Sequence, residues 1–187
     1  MNAPPLNINF VPFPLLETER LLLRKMVPGD AADFYKLRSD KETMRFIPRP
    51  IATCVADAAA GIQMMDDCLS TNNCINWGIT LKGTDTVIGT IGFFRMNPES
   101  FRAEIGYILH KDHQRKGIMQ EALNKAIDYG FHTMHLHAIE AVVAVGNTPS
   151  AALLEKSGFA KEGTLRDYIF NRGVFCDAWF YSRLTSS

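Results

Sequence analysis

Hydrophobic and polar positions recur with two different periods along this chain, and the switches between them mark its elements. Residues 18–26 are apolar-rich around Leu21-Leu22-Leu23 and stop at Pro28-Gly29, which predicts a first strand. Ala31, Phe34, Tyr35 and Arg38 then recur at helical spacing, with Asp30 in position to cap the helix. After Pro48 and Pro50 a second helix is expected from Thr53 or Cys54 to about Leu69, with Ile62, Met65 and Leu69 on one stripe. Three strands are predicted next, over residues 75–81, 86–95 and 101–110, separated by the turn residues Lys82-Gly83-Thr84-Asp85 and Asn97-Pro98-Glu99-Ser100. Residues 115–132 return to helical spacing, with Met119, Ala122, Leu123, Ala126, Ile127 and Phe131 on the buried side. Residues 138–145 are almost continuously apolar, as in a strand covered on both faces. A helix over 148–157 stops at Gly158, and residues 159–170 and 174–184 read as a hairpin across Asn171-Arg172-Gly173. Residues 1–16 read as an extended, proline-punctuated arm. The expected fold is α/β: a mixed, mostly antiparallel twisted sheet of about seven strands flanked by helices, forming one domain over 17–187.

At 187 residues and 47% apolar, the chain is long enough for one domain with a sizeable core. No internal repeat, low-complexity segment or interdomain linker interrupts it. Twenty basic side chains balance twenty acidic ones, so no global charge favours nucleic acid, and any selectivity for a charged ligand is local. Cys54, Cys68, Cys74 and Cys176 form no C-x-x-C pair and are expected to be reduced thiols. The opening M-N-A-P-P-L-N-I-N-F-V-P-F-P lacks a basic n-region, and no apolar run reaches membrane-spanning length. The expectation is a soluble cytoplasmic protein, monomer or homodimer, with neither membrane nor nucleic-acid partners.

The chemistry concentrates in residues 104–122, E-I-G-Y-I-L-H-K-D-H-Q-R-K-G-I-M-Q-E-A. A strand ends, a basic glycine-containing turn follows, and a helix begins at once. That order gathers backbone N–H groups, the positive end of a helix, Arg115 and Lys116 around one small volume suited to a phosphate. Gly117 lets the backbone approach a bulky anion with no Cβ in the way. Downstream, Asn147-Thr148-Pro149-Ser150 opens another helix, with Asn147 able to cap it and Pro149 fitted to its first turn.

Q-R-K-G-I-M at 114–119 and the pattern N-x-x-S-x-x-L-x-x-x-x-G-F from Asn147 to Phe159 resemble the signature of the GNAT superfamily of acetyl-CoA-dependent N-acetyltransferases. The resemblance covers nearly the whole chain from about Leu16. The opening T-E-R-L-L-L-R and the tail E-G-T-L-R-D-Y-I-F-N-R-G-V-F-C-D-A-W-F-Y-S-R-L are similar to the Rim-type branch, the ribosomal-protein N-acetyltransferases. Met119 departs from the superfamily's usual small residue, but G-x-M is familiar in that branch. The resemblance implies that Gln114, Arg115, Lys116, Gly117, Ile118 and Met119 hold the coenzyme A pyrophosphate. It also implies that Asn147 bonds the pantetheine arm, together with backbone groups of Ile108 and Leu109 on a strand that splays from its neighbour.

Acetyl transfer to an amine requires a neutral amine, a stabilised oxyanion and help for the departing thiolate; the thioester is already activated, so no metal is implied. Glu104 is the candidate general base, directly or through a water. By alternation it shares a face with Gly106 and Ile108, while Ala103, Ile105, Tyr107 and Leu109 share the other. The plain alternative is a solvent-facing Glu paired with Arg95 or Arg102. Ser150 is the candidate for protonating or polarising the leaving sulfur, with a first-turn hydroxyl bonded to the backbone as the alternative. Tyr107, Tyr168 and Tyr181 are further donors, and a backbone N–H within 106–109 is the expected oxyanion partner. His132, His135 and His137 span a helix end and a strand start without metal-ligand spacing. His110 and His113 flank the phosphate turn. The expected activity is direct attack of a primary amine, such as a protein N-terminus, on acetyl-CoA. Acetylation of a polyamine, amino sugar or antibiotic, and an acyl-CoA sensor without catalysis, are the rivals.

Overall fold

The computed structural model describes residues 5–185. One eight-stranded sheet organises them, in the order β1-β2-β3-β4-β5-β6-β8-β7. The strands are β1 (Leu16–Glu17), β2 (Leu21–Arg24), β3 (Ile75–Leu81), β4 (Gly89–Asn97), β5 (Arg102–Leu109), β6 (Ala138–Ala144), β7 (Ala160–Asn171) and β8 (Val174–Leu184). Every neighbouring pair is antiparallel except β5 and β6. The helices are α1 (Ala31–Ser39), α2 (Val55–Ser70), α3 (Ile118–His132) and α4 (Thr148–Lys156). This is the expected mixed α/β sheet with one strand more. The first predicted strand is shorter than its apolar run, and β1 pairs back on it through Leu16 opposite Leu23.

The sheet's two faces bury different sets of side chains. Leu23, Ile79, Ile91, Ile105 and Leu109 pack with Ile118, Ala122, Leu123 and Ala126 of α3 in the main core. Trp77 sits at its centre, edge-on to Phe93 and Tyr129, and its indole N–H donates to the Pro14 carbonyl at 2.7 Å. That bond, with Phe10 buried in the same core, fixes residues preceding β1 against the sheet. On the opposite face Phe34, Leu37, Ala58 and Ile62 of α1 and α2 form a second cluster with Met26 and Val87. The α1–α2 pair therefore covers the face carrying Gly78 and Glu104, and α3 covers the face carrying Tyr107.

Three local expectations change. Asp30 does not cap α1: both its oxygens accept from the Arg24 guanidinium at 2.8 Å, and Oδ2 also accepts the Val27 N–H. A buried carboxylate takes the charged fork in preference to a neutral amide. The helix predicted from 115 begins only at Ile118, because Arg115 (φ 59°) and Gly117 (φ 74°) adopt left-handed backbone. The cysteines are not all thiols. A turn after α2 reverses the chain into β3, so Cys68 and Cys74 meet with Cα atoms 5.6 Å apart and are bonded; Cys54 and Cys176 are free. No helix among the described residues is long and apolar enough to cross a membrane.

Candidate active site

The sheet comes apart in one place. β5 pairs with β6 only through Arg102–Ala138, Ala103–Ile139 and Glu104–Glu140. Beyond Glu104, β5 stays with β4 while β6 stays with β8 through Ala144. A wedge opens between 105–109 and 141–144. His110 N–H donates to Ile88 O on the β4 side, so alternation turns the backbone groups of Tyr107 and Leu109 towards the wedge. The Leu109 carbonyl there accepts from Gln114 Nε2 at 2.9 Å. The N–H groups of Tyr107 and Leu109 remain as donors lining the gap. Ile108 turns its own groups to β4, where it lies opposite Thr90.

The wedge widens towards the turn at 114–119. Gln114, Arg115, Lys116 and Gly117 are exposed there, while the side chains of Ile118 and Met119 are buried in the core. Ile118 and Met119 thus anchor the helix start and offer only backbone N–H groups. The turn's shape is held from outside: Arg20 donates to Lys116 O at 3.0 Å and forks onto Glu121 at 2.6 Å, and Thr18 also bonds Glu121. A Cβ on Gly117 would lie 3.4 Å from Arg20 Nη2, in a conformation L side chains rarely adopt. Arg115 and Lys116 form no ion pair among the described residues. Exposed cations, helix-start N–H groups and a Cβ-free position together suit a pyrophosphate. His113 stands beside Lys116, and partial burial with that neighbouring charge lowers its pKa, so it is neutral near pH 7.

Across the wedge, α4 supplies Asn147 and Ser150. Asn147 Oδ1 accepts the Ser150 N–H at 3.4 Å, the cap expected of it. The Ser150 hydroxyl lies 2.8 Å from the Tyr107 hydroxyl, so two residues weighed separately as donors form one hydrogen-bonded pair. Burial pushes the Tyr107 phenol up to about 12 against the opposing bond from Ser150, so it stays protonated at any physiological pH.

Glu104 lies on the other face, at the apex where pairing with β6 ends. Its side chain is 12% exposed, and Arg95 Nη1 donates to Oε2 at 2.9 Å. Arg95 reaches it because β4 bulges between Phe94 and Asn97 and Arg95 itself takes φ 49°. The Phe94 ring crosses Gly106, where a Cβ would stand 2.6 Å from it, and helps close Glu104 from water. Burial raises the Glu104 pKa; Arg95 opposes the rise, and Glu140 nearby adds to it. Arg102 is engaged with Glu140 instead, at 2.7 Å.

The Acetyltransferase (GNAT) domain profile matches residues 20–160, three-quarters of the chain. The chain belongs to the GNAT acetyltransferases. It is 43% identical over 169 residues to the uncharacterized N-acetyltransferase p20 of Bacillus licheniformis, covering 90% of this chain and 95% of that protein. It is 31% identical over 177 residues to the [ribosomal protein uS5]-alanine N-acetyltransferase of Escherichia coli (strain K12), covering 89% of each. Among solved structures, spermidine N-acetyltransferase from Vibrio cholerae in complex with CoA and spermine superposes with TM-score 0.78 at 25% identity, covering 89% of this chain and 96% of that one. As a GNAT member the protein is an acetyl-CoA-dependent N-acetyltransferase.

In this GNAT site the wedge brings together Glu104, Tyr107, Leu109, Asn147 and Ser150 from segments up to 46 residues apart. Sequence reasoning undervalued Tyr107, whose i+43 partner no local signal could reveal. His132 and His135 do not join the site: His132 stands by Asp128, and His135 Nδ1 lies 3.2 Å from the Pro5 carbonyl. His110 turns its ring nitrogen to the Asp112 N–H.

Proposed function

We propose that this GNAT enzyme acetylates the α-amine of a peptide or protein N-terminus, with Glu104 as general base and the Tyr107–Ser150 pair serving the leaving sulfur. The observation that carries this reading is the short β5–β6 pairing. It leaves free N–H groups in a gap with a shielded carboxylate on one face and a hydroxyl pair on the other. Glu104 takes a proton from the incoming ammonium, which exposes the nitrogen lone pair. The Tyr107 N–H stabilises the oxyanion as the thioester carbonyl is attacked, and the Leu109 N–H, two residues and about 7 Å further along the strand, is left to the pantetheine arm. The adduct nitrogen gives its remaining extra proton to water, and the carbon–sulfur bond then breaks with its electron pair leaving on sulfur. A phenol near 12 does not surrender its proton to a thiolate of ordinary pKa, about 8.5. The Tyr107–Ser150 pair therefore acts by hydrogen-bonding the departing thiolate, which leaves as an anion.

Pyrophosphate binding belongs to Gln114, Arg115, Lys116, Gly117 and the N–H groups of Ile118 and Met119; pantetheine binding belongs to Asn147 and Leu109, and not to Ile108, whose backbone groups turn to β4. The α-amine is favoured by its acidity. An α-amino group titrates near 8 and a lysine-like amine near 10.4, so a raised carboxylate deprotonates the former with roughly 3 kcal/mol less to overcome. The uS5-alanine relative supports the same class of acceptor.

A panel assay tests the proposal: peptides with free and blocked N-termini, spermidine, an amino sugar, and free-thiol release as readout, with mass spectrometry to locate the acetyl group. Acetylation of the free α-amine alone is expected. Preference for spermidine or the amino sugar would replace it with the small-molecule reading. Coenzyme A binding without turnover of any amine would make the protein a sensor.

A further inference from the structure

The segment between α1 and α2, residues 40–54, crosses the wide mouth of the wedge. At one end Lys111, two residues past β5, is bonded to Asp40 at 3.0 Å. At the other, Asn171 Nδ2 donates to Arg45 O at 3.2 Å and Arg172 Nη2 to Met44 O at 2.8 Å. Asn171 and Arg172 form the tip of the β7–β8 hairpin, past the point where Val145 N–H meets Asp177 O at the end of β6. The segment is thus a strap from the end of β5 to the hairpin, on the face that carries Glu104.

The strap and the last turn of α1 beside it present two guanidinium groups, Arg38 of α1 and Arg49 of the strap. Arg38 donates only from Nη2, to Pro50 O at 3.0 Å; its Nε is buried with no hydrogen-bond partner, and Phe34 lies under the guanidinium at 5.7 Å. Arg49, the neighbour of Pro50, brings a second guanidinium beside it. Neither forms an ion pair among the described residues. The strap's carboxylates do not answer them: Asp40 is committed to Lys111 and the Thr43 N–H, and Glu42 is exposed. Of four buried side-chain polar atoms left without partners among the described residues, three belong to the strap and the elements that touch it: Thr43 Oγ1, Arg38 Nε on α1 and Asn171 Oδ1 at the hairpin tip. Buried polar atoms in a folded protein are almost always bonded, so an unpartnered guanidinium N–H on Arg38 and hydroxyl on Thr43 beside one opening point to a ligand's acceptor groups.

We infer that the strap selects its acceptor by charge, Arg38 and Arg49 binding a carboxylate close to the reacting amine, most directly the acidic side chain of the second or third residue of a peptide. This rests on the reading of the wedge as an α-amine acetyltransferase site. A guanidinium pair suits a carboxylate, as bidentate donors match its two oxygens. The same pair repels the distal ammonium groups of a polyamine.

The test compares kcat/KM for three peptides sharing an N-terminal alanine, with Asp, Gln or Lys at positions two and three, alongside free alanine and alanine amide. Wild type, Arg38→Gln, Arg38→Lys and Arg49→Gln are measured. The acidic peptide should be preferred over the lysine peptide by about tenfold or more, mainly through KM and shrinking with added salt. Arg49→Gln and Arg38→Gln should collapse that ratio, and Arg38→Lys should keep part of it. If Arg38→Gln fails to fold, the exposed Arg49→Gln decides. Preference for free alanine over its amide, stronger than that for the acidic peptide, would assign the carboxylate to an amino acid. Equal rates on all three peptides, or a preference untouched by both Gln variants, would overturn the inference and leave the α-amine reading standing. Spermidine turnover without peptide turnover would remove both.

Discussion

Glu104 and Tyr107 stand three residues apart on β5, yet their surroundings are built by different means. Tyr107 faces α3 and α4, where the donor side is assembled from local devices: a glycine turn, a helix start, an asparagine cap and a serine one turn in. Each has a sequence signature because each depends on backbone conformation within a few residues. Glu104 faces α1 and α2, where the acceptor side depends on distant partners: Arg95 thrown inward by a bulge, Phe94 across Gly106, and a strap tied to Lys111 and to the hairpin. Variants on the donor side should therefore act on acetyl-CoA whatever the amine. Variants on the acceptor side should act on the amine with donor affinity intact.

The largest effect is expected at Glu104. Glu104→Gln keeps size and the bond from Arg95 but cannot accept the amine's proton, so kcat/KM should fall by about a hundredfold to ten-thousandfold. Acetyl-CoA affinity by calorimetry should stay near wild type. The deficit should shrink as pH rises and solvent supplies more neutral amine; a constant deficit from pH 6 to 9 would reduce Glu104 to a positioning role. Stability should move the other way. A carboxyl whose pKa is raised by burial favours the fold while protonated and loses that contribution as pH rises through the raised value. The variant should accordingly melt no lower than wild type at pH 8, and a clear drop in Tm would mean the ionised Glu104–Arg95 pair is needed to fold.

Gly117→Val comes next and probes the opposite side. A β-branched residue at φ 74° is strained and meets Arg20 where the turn must approach a phosphate. Coenzyme A affinity should fall by about tenfold or more, about 1.4 kcal/mol for each tenfold, while the circular dichroism stays native. Unchanged affinity would move the pyrophosphate elsewhere.

Ser150→Ala and Tyr107→Phe should each lower kcat by about tenfold with little change in acetyl-CoA binding. Because their hydroxyls are 2.8 Å apart, the double variant should lose little more than either single one. Full additivity would show two independent roles.

The smallest effect is expected from Asp40→Asn, which frees one end of the strap. Exposed ion pairs contribute little, so a change in acceptor KM of no more than about threefold is expected, with coenzyme A affinity constant. The Thr43 N–H and then Lys111 hold the Asp40 carboxyl down to about 2. The tether is thus fully present above the ordinary value of 3.8 and fades as pH falls through about 2. Acceptor KM in wild type should show no step from this group between pH 5 and 9.

The amino-acid sequence by itself determined the element order from β2 onward, the antiparallel run from β3 to β5, the glycine turn before α3 and the Asn147 helix start. All of these follow from periodicity and from residues acting on their own neighbourhood. It also placed Glu104 and Tyr107 on opposite faces, since alternation along a strand is local. Only the tertiary structure decided that β5 and β6 part after three pairs, because pairing extent depends on how two strands whose partners are 36 residues apart are each held by a third. It decided that Tyr107 and Ser150 share a hydrogen bond, that Arg95 reaches Glu104, that Asp30 turns to Arg24, and that Cys68 meets Cys74. A hydrogen bond or ion pair is set by distances of about 3 Å between side chains, and such distances between remote residues exist only once packing has brought their elements together.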